Sequence, residues 1–405
     1  TAGVGYFLNT TGGIITVNLP VGAAGSSVAL ADYAGTWQTN NVTVAANGTE
    51  KIGGVDADVT LSTEGQSVTL VYVDAAQGWV NTMDSTSNVR GNAYMTATVS
   101  GACNTLATAP DCADTKIATF LGPGTFCVSN AAVCAANNLV SYMVVAGGGG
   151  GGGSASSSAN GGAGAGGYRE TKSPVTPYTA SPLCGYATPG NRITVTASPY
   201  PIVVGGGGTA GGSPAPEPAP GGRGTPSTAL SITSTGGGGG GGVPGGCTTN
   251  LPGGSGGGAV MLTSIGTGDT PPTTPAQGFD GGTGVNVSPS WAGGGGGGAT
   301  AVGANATPAP PTGGGAGNGG AGATTSISGS PTAYAGGGGG GACGPSSPRS
   351  TGGTGGGGGG GAYPLTSPVT LLNGTDNTGG GAGGSAQQTG GVGGSGIVII
   401  RYKFQ

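Results

Sequence analysis

Histidine is absent from all 405 residues. Without it a Ser-His-Asp or Cys-His relay cannot be assembled, and no catalytic residue is assigned: the expectation is a protein that is not an enzyme. Charge is scarce too, with 10 Lys and Arg against 14 Asp and Glu. No basic patch exists to hold a phosphate backbone or an anionic lipid surface, so nucleic acid is not expected as a partner. No apolar run approaches the length of a membrane span, which excludes membrane insertion by a helix. A secretory-signal pattern is missing as well. The seven cysteines (Cys103, Cys112, Cys127, Cys134, Cys184, Cys247, Cys343) are an odd number, and their spacings match no zinc pattern. The first four are close enough in sequence for one or two local disulfides; no metal and no cofactor is expected.

What the chain has instead is glycine. Gly (101 residues) and Pro (28) make up about a third of it, a composition that marks low complexity. The distribution is uneven: 16 Gly lie in residues 1–146, 85 in residues 147–396 and none beyond. Disordered chains stay apart through charge, yet residues 147–396 carry only five acidic and five basic side chains. A strict Gly-X-Y period is absent, which excludes collagen.

Residues 1–83 alternate apolar and polar side chains in short runs such as "GIITVNLP", "NNVTVAANG" and "SVTLVYVDAAQGWV". The runs are split by Gly, Asn-Gly (Asn47-Gly48) and Gly-Gly (Gly53-Gly54) turn signals, so this part reads as a small β-sandwich or β-prism-like module. Its apolar set (Ile15, Val17, Leu19, Val28, Leu30, Val42, Val44, Val59, Leu61, Val68, Leu70, Val71, Tyr72) is modest, and oligomerisation would supply the missing burial. Residues 84–114 read as a connector with few core candidates. A glycine-rich domain follows over 115–405: strands over 116–146, with a hairpin around Gly122-Pro123-Gly124, a polyglycine bundle over 147–396, and a closing strand over 397–403.

The glycine blocks at 147–153, 161–167, 205–208, 236–242, 293–298, 336–341 and 355–361 repeat a length of six or seven residues with one exception. A linker has no reason to repeat a length; a layer of fixed thickness does. The fold class expected is all-β with polyglycine II: left-handed helices of three residues per turn, packed side by side and closed by flanking strands. Only glycine lets six neighbours approach such a rod closely enough to bond through N–H and C=O. Ordering a backbone costs about 1–2 kcal/mol per residue, and a hydrogen bond returns about 0.5–1.5 kcal/mol net. The bundle therefore needs anchoring by ordinary β-structure, and "LVSYMVVAG" and "GIVIIRYKF" are expected to lie together.

Glycine strings imitate phosphate loops by chance. No Lys follows a block as a Walker loop requires, and "GAGAGG" (162–167) lacks a βαβ setting. Asp56 and Asp58 read as solvated turn carboxylates, and the Asn-x-Ser/Thr matches (Asn9, Asn41, Asn47, Asn373) as turn asparagines. Eight aromatics lie between or beside glycine blocks: Tyr168, Tyr178, Tyr186, Tyr200, Phe279, Trp291, Tyr334 and Tyr363. They either cap the rod ends or form an exposed surface for binding a saccharide or a protein.

The stretch 12–80, with "TVNLP", Asp32-x-x-Gly35, "NNVTVAANG" and "TLVYVDAAQGW", resembles a β-module of bacteriophage tail fibres. The stretch from "ATFLGPGTFCVS" through "VSYMVVAGGGGGGG" to "GGSGIVIIRY" resembles the glycine-rich domain of phage tail proteins. The resemblance implies a homotrimeric virion fibre or adhesin that contacts other tail or capsid proteins. Its rod-linking loops would bind a saccharide or an outer-membrane protein on the host surface. The chain starts at Thr1 without the usual anchoring segment, so attachment is expected through a partner protein or through further residues. The alternative is a purely structural capsid decoration or filament subunit that touches no receptor.

Overall fold

The computed structural model describes residues 1–85, 94–212, 219–242, 252–260, 265–287, 290–308, 315–344, 348–363 and 368–405. Part of the expected connector (86–93), most of "SPAPEPAP" and Cys247 lie outside the described residues. The chain divides into two compact units, Thr1–Ala93 and Tyr94–Gln405. Described residues are strands, rods and turns, with four short 3-10 turns and no α-helix.

The first unit is a sandwich of seven strands: β1 (Val4–Leu8), β2 (Ile15–Asn18), β3 (Ser27–Asp32), β4 (Val42–Ala45), β5 (Val59–Leu61), β6 (Ser67–Asp74) and β7 (Gly78–Ser85). One sheet has the order β1-β3-β6-β7 and the other β2-β4-β5. The pairs β1–β3 and β2–β4 are parallel, because the chain switches sheet at each step from β1 to β4, whereas β4–β5 and β6–β7 are consecutive antiparallel pairs. Alternation delivers Val28, Leu30, Val42, Val44, Leu61, Val68 and Leu70 to the core as expected, around two large side chains that pattern alone did not single out, Trp37 and Trp79. The Asp32-x-x-Gly35 motif has a physical purpose. The buried Asp32 carboxylate accepts backbone N–H groups from Gly35 (2.9 Å), Thr36 (3.3 Å), Trp37 (3.3 Å) and Gly65 (3.0 Å).

The second unit begins with β8 (Thr96–Ser100), β9 (Thr105–Ala109), β10 (Cys112–Phe120), β11 (Gly124–Asn130) and β12 (Leu139–Val145). Residues 94–114 are thus not a plain connector; Met95, Ala97 and Ala109 are core residues. The expected hairpin around Gly122-Pro123-Gly124 is a corner instead, because β10 and β11 belong to different sheets. Asn104 pins it: its Oδ1 accepts from the N–H of Leu121 (3.1 Å) and Gly122 (3.3 Å), and its Nδ2 donates to the carbonyls of Ser100 (2.8 Å) and Pro123 (3.3 Å). Cys103, Cys112, Cys127 and Cys134 are free thiols. The expected local disulfides are absent among them, since β10 and β11 carry Cys112 and Cys127 into separate sheets.

Further strands are β13 (Ser154–Ala159), β14 (Tyr168–Thr171), β15 (Ile193–Thr194), β16 (Pro199–Ile202), β17 (Ser227–Ala229), β18 (Ile232–Ser234), β19 (Val285–Val287) and β20 (Ser290–Ala292). They are followed by β21 (Ala323–Thr325), β22 (Thr332–Tyr334), β23 (Ala342–Cys343), β24 (Ala362–Tyr363), β25 (Ala386–Gln388) and β26 (Ile397–Lys403). The principal sheet has the order β14-β12-β26-β10-β9, and β16-β11-β8 packs against it. Residues 139–145 and 397–403 lie together as anticipated: β12 and β26 are antiparallel neighbours, with Ser141 opposite Arg401 and Val145 opposite Ile397. Their alternate residues feed two cores. Tyr142, Val144, Val398 and Ile400 face the smaller sheet, and Met143, Val145, Ile397 and Ile399 face the Tyr168 side.

Beyond Ala146 the two-residue period of the strand gives way to a three-residue period. N–H groups of Gly147, Gly150 and Gly153 donate to the carbonyls of Thr225, Gly222 and Ala219; Gly148 and Gly151 donate to Gly394 and Gly391; Gly149 and Gly152 donate to Gly164 and Gly161. The carbonyls of the same rod accept from a second set: Gly237 and Gly240, Gly208 and Gly211, and Ala382 and Ser385. Six neighbours surround it. Every third residue returns to the same neighbour, and the rod glycines lie outside the positive-φ set. Together these define a left-handed helix of three residues per turn, polyglycine II. Blocks 161–167, 293–298, 336–341 and 381–385 follow the same bonding rule, with Gly379 ahead of the last at a positive φ of 69°. Block 355–361 departs from it at its start, where Gly355 and Gly356 make a turn with φ of 98° and 92°. Ala163, Ala165 and Ala382 are fully buried within rods, so the bar against Cβ is positional rather than absolute.

Two predictions follow from these packing rules. A Cβ on Gly149 would stand 2.1 Å from the Gly238 carbonyl oxygen, whereas one on Gly359 would meet nothing nearer than 3.4 Å. Gly149→Ala therefore destabilises the second unit by about 3 kcal/mol or more and Gly359→Ala by less than about 1 kcal/mol, read from urea unfolding. In the first unit, burial raises the Asp32 pKa, but the N–H groups of Gly65, Trp37, Thr36 and Gly35 outweigh it and hold the group below the ordinary 3.8. That stabilisation is complete above the unfolded value and is lost as pH falls through the lower folded one. Asp32→Asn costs about 1.5–3 kcal/mol at neutral pH and flattens the stability loss below pH 3.8, followed through Trp37 and Trp79 fluorescence.

Candidate functional site

Rod direction, read from the hydrogen-bond register, sorts every loop of the second unit to one of two ends. Block 147–153 leaves the principal sheet, and 161–167 runs back to it, since Gly149 bonds Gly164 while Gly152 bonds Gly161. Three strands pass straight into rods: β12 into 147–153, 161–167 into β14, and 390–396 into β26. The end beside the principal sheet holds β14, β15, the hairpins β17–β18 and β21–β22, and residues 270–277. The far end holds β13 paired with β25, and the sheet β19-β20-β23-β24.

Six of the eight candidate aromatics lie at the sheet end, and three of those are buried: Tyr168, Tyr178 and Tyr334. These three close the rods against the principal sheet and offer no surface to a ligand. Tyr168 donates its hydroxyl to Glu170 Oε2 (2.8 Å), which also accepts the Ser181 N–H (2.9 Å), and Thr325 Oγ1 donates to Glu170 Oε1 (2.6 Å). Glu170 is thus a buried carboxylate with its acceptors occupied. Burial first, and the Glu170 charge second, push the hydroxyl pKa values of Tyr168 and Tyr178 above the ordinary 10. Arg401 is fully buried and pairs with Asp111 through Nη2 (3.0 Å) and Nη1 (3.1 Å), its guanidinium 5.4 Å from the Tyr178 ring centroid. The half-buried Tyr186 stacks on Arg192 at 4.5 Å. Tyr200, also half-buried, accepts the Thr196 N–H (2.8 Å), and Phe279 stands 36% exposed at the start of its rod.

The far end brings the other two together. Trp291 is opposite Cys343, and Cys343 opposite Tyr363, in one row across β20, β23 and β24. Cys343 packs with Ala159 and Ala386, and the half-buried Trp291 lies against them; burial pushes the Cys343 thiol up. Tyr363 stands 40% exposed beside this cluster. Sequence reasoning missed this juxtaposition, because the three residues are distant in sequence and lie beside three different glycine blocks. It also missed Glu170 and Arg401; for Arg401 the signal was available, a charged side chain inside an apolar anchor strand of a chain with few charges.

Among the described residues no group of His, Cys, Asp or Glu is arranged to hold a metal ion, and no helix is long and apolar enough to cross a membrane. The geometry defines an all-β protein in which glycine rods carry two sets of loops on a central sandwich. A family described as a glycine-rich domain matches residues 122–403, well over half of the chain, and the chain belongs to that family. No curated protein matches it.

Removing Asp111 strands a buried guanidinium, which is costlier than losing the pair as a whole. Asp111→Ala is expected to destabilise the second unit by about 2–3 kcal/mol, reduced from the fully buried case because Asp111 is partly solvated. Adding Arg401→Met recovers most of that loss. A double-mutant cycle by chemical denaturation measures both.

Proposed function

We propose that this chain is a structural protein of a virion appendage, a tail fibre or tail spike, and that the far end of its glycine bundle binds the host surface. The observation that carries the reading is the far-end row of Trp291, Cys343 and Tyr363. It places two aromatics on a small sheet held by rods that have little freedom of their own, and aromatics on rigid supports suit saccharide or protein recognition. Assembly through the first unit is supported by its exposed apolar side chains. Phe7, Ile14, Val21, Val55 and Met83 each stand at least 60% exposed, and a homotrimer would cover such residues. The particle, and the medium once the chain is released, is the proposed location.

Two measurements test this. Mass spectrometry of purified particles should find on the order of tens of copies, as cyclic fibres require; hundreds would favour a lattice or filament subunit. Tyr363→Ala with Trp291→Ala should lower adsorption of the purified protein to host cells about tenfold or more, the scale of losing one aromatic hot spot. Tyr186→Ala, at the sheet end, should leave adsorption unchanged. Equal adsorption by both variants would overturn the far-end assignment.

A further inference from the structure

Between the two sheets of the first unit, at the side where β5 and β7 form their edges, lies a cavity of about 350 Å³. Its walls are largely apolar, from Val44, Ile52, Val59, Leu61, Val68 and Leu70, and its polar side chains are Thr60, Gln66, Asn81 and Asp84. The volume falls within the range of small-molecule sites. We infer that this cavity binds an aliphatic ammonium ion, with its hydrocarbon stem between the sheets and its charged head on Asp84 and Gln66.

Three observations converge on that chemistry. Gln66 is only 8% exposed, and its Oε1 has no hydrogen-bond partner among the described residues. The amide orientation is fixed, because Nε2 donates to both Asp84 oxygens (3.1 and 3.3 Å), so the orphan oxygen is left as an acceptor in the cavity wall. A buried acceptor without a donor is costly, and a ligand carrying N–H groups would relieve it. Second, the exposed Asp84 otherwise meets only Gln66 and Asn81 Nδ2 (3.4 Å), and no cation neutralises it among the described residues. Third, the described residues of this unit hold seven Asp and Glu (Asp32, Glu50, Asp56, Asp58, Glu64, Asp74, Asp84) against Lys51 alone. The resulting field draws cations and repels anions. A neutral alcohol would satisfy Gln66 and leave Asp84 unpaired, and a carboxylate would face Asp84 directly.

Calorimetric titration of the full chain with n-butylammonium, n-butanol and butyrate tests the inference. Butylammonium should bind at least about tenfold more tightly than butanol, the scale of one charge-assisted hydrogen bond, butyrate should not bind, and added salt should weaken the amine alone. Asp84→Asn, at an exposed position, should weaken amine binding about tenfold, and Val59→Trp, at the partly exposed wall, should abolish it. Equal affinity for amine and alcohol, no heat with the amine, or undiminished binding by either variant would overturn the inference. The comparison of the three ligands on the unaltered chain stands even if a variant fails to fold.

Discussion

The second unit depends on one constraint: a peptide group must reach its neighbour's peptide group across a gap that a methyl would fill. Around Gly149 the gap leaves a hypothetical Cβ 2.1 Å from a carbonyl oxygen, and Gly148 and Gly150 are equally closed, facing Gly380 and Thr209. Three residues per turn spread the N–H groups over three directions and the carbonyls over three more. A rod can then bond six partners, where a strand bonds two. Lateral hydrogen bonding takes the place of the side-chain core that glycine cannot build. It is a stiff arrangement because no rod can move without breaking bonds in several directions.

Such a lattice has no intrinsic register, since one glycine resembles the next and a slip by three residues restores the same bonding. The sandwich supplies it. Val145 is paired with both Tyr168 and Ile397, and the ladders continue without interruption as Ala146 to Gly167 and Gly148 to Gly394. The strands that set this frame are themselves fixed by two cores of opposite face and by Arg401 locked onto Asp111. Side-chain packing therefore specifies the alignment, and hydrogen bonding propagates it away from the sheet.

Much of this was legible. Repeated block length announced the rods, and the two apolar pulses that flank them announced the anchoring pair. Composition could not reveal the rods that are not written in glycine. Residues 301–306 bond as a rod at the rim of the lattice, where Val302 is exposed, so a side chain there meets water rather than a neighbour. Nor does sequence carry rod direction: 236–242 and 253–258 run the same way, because Gly238 bonds Ser255 and Gly241 bonds Gly258. The corner at Gly122-Pro123-Gly124 looked like a hairpin because turn residues do not say whether the two strands will pair. That choice rests with Asn104, 17 residues before Leu121 in sequence. Aromatic residues beside glycine blocks looked equivalent in sequence, yet Tyr168 and Tyr363 lie at opposite ends, one buried and one exposed.

A bundle without side chains has nothing along its length with which to discriminate a ligand. Side chains able to contact a ligand are therefore concentrated at its ends, and at the sheet end Tyr168, Ser181 and Thr325 are spent on Glu170 while Arg401 is held by Asp111. At the far end short strands grow from the rods and set Trp291 beside Cys343 and Cys343 beside Tyr363. Asn160 and Ser385 at this end bond rod carbonyls through their side chains, whereas no side-chain hydrogen bond ties Trp291, Cys343 or Tyr363 to a rod among the described residues. The same separation explains the lopsided use of charge. The bundle tolerates few ionised groups because it has no room to solvate them, while the first unit, which packs a conventional core, carries the excess of acid.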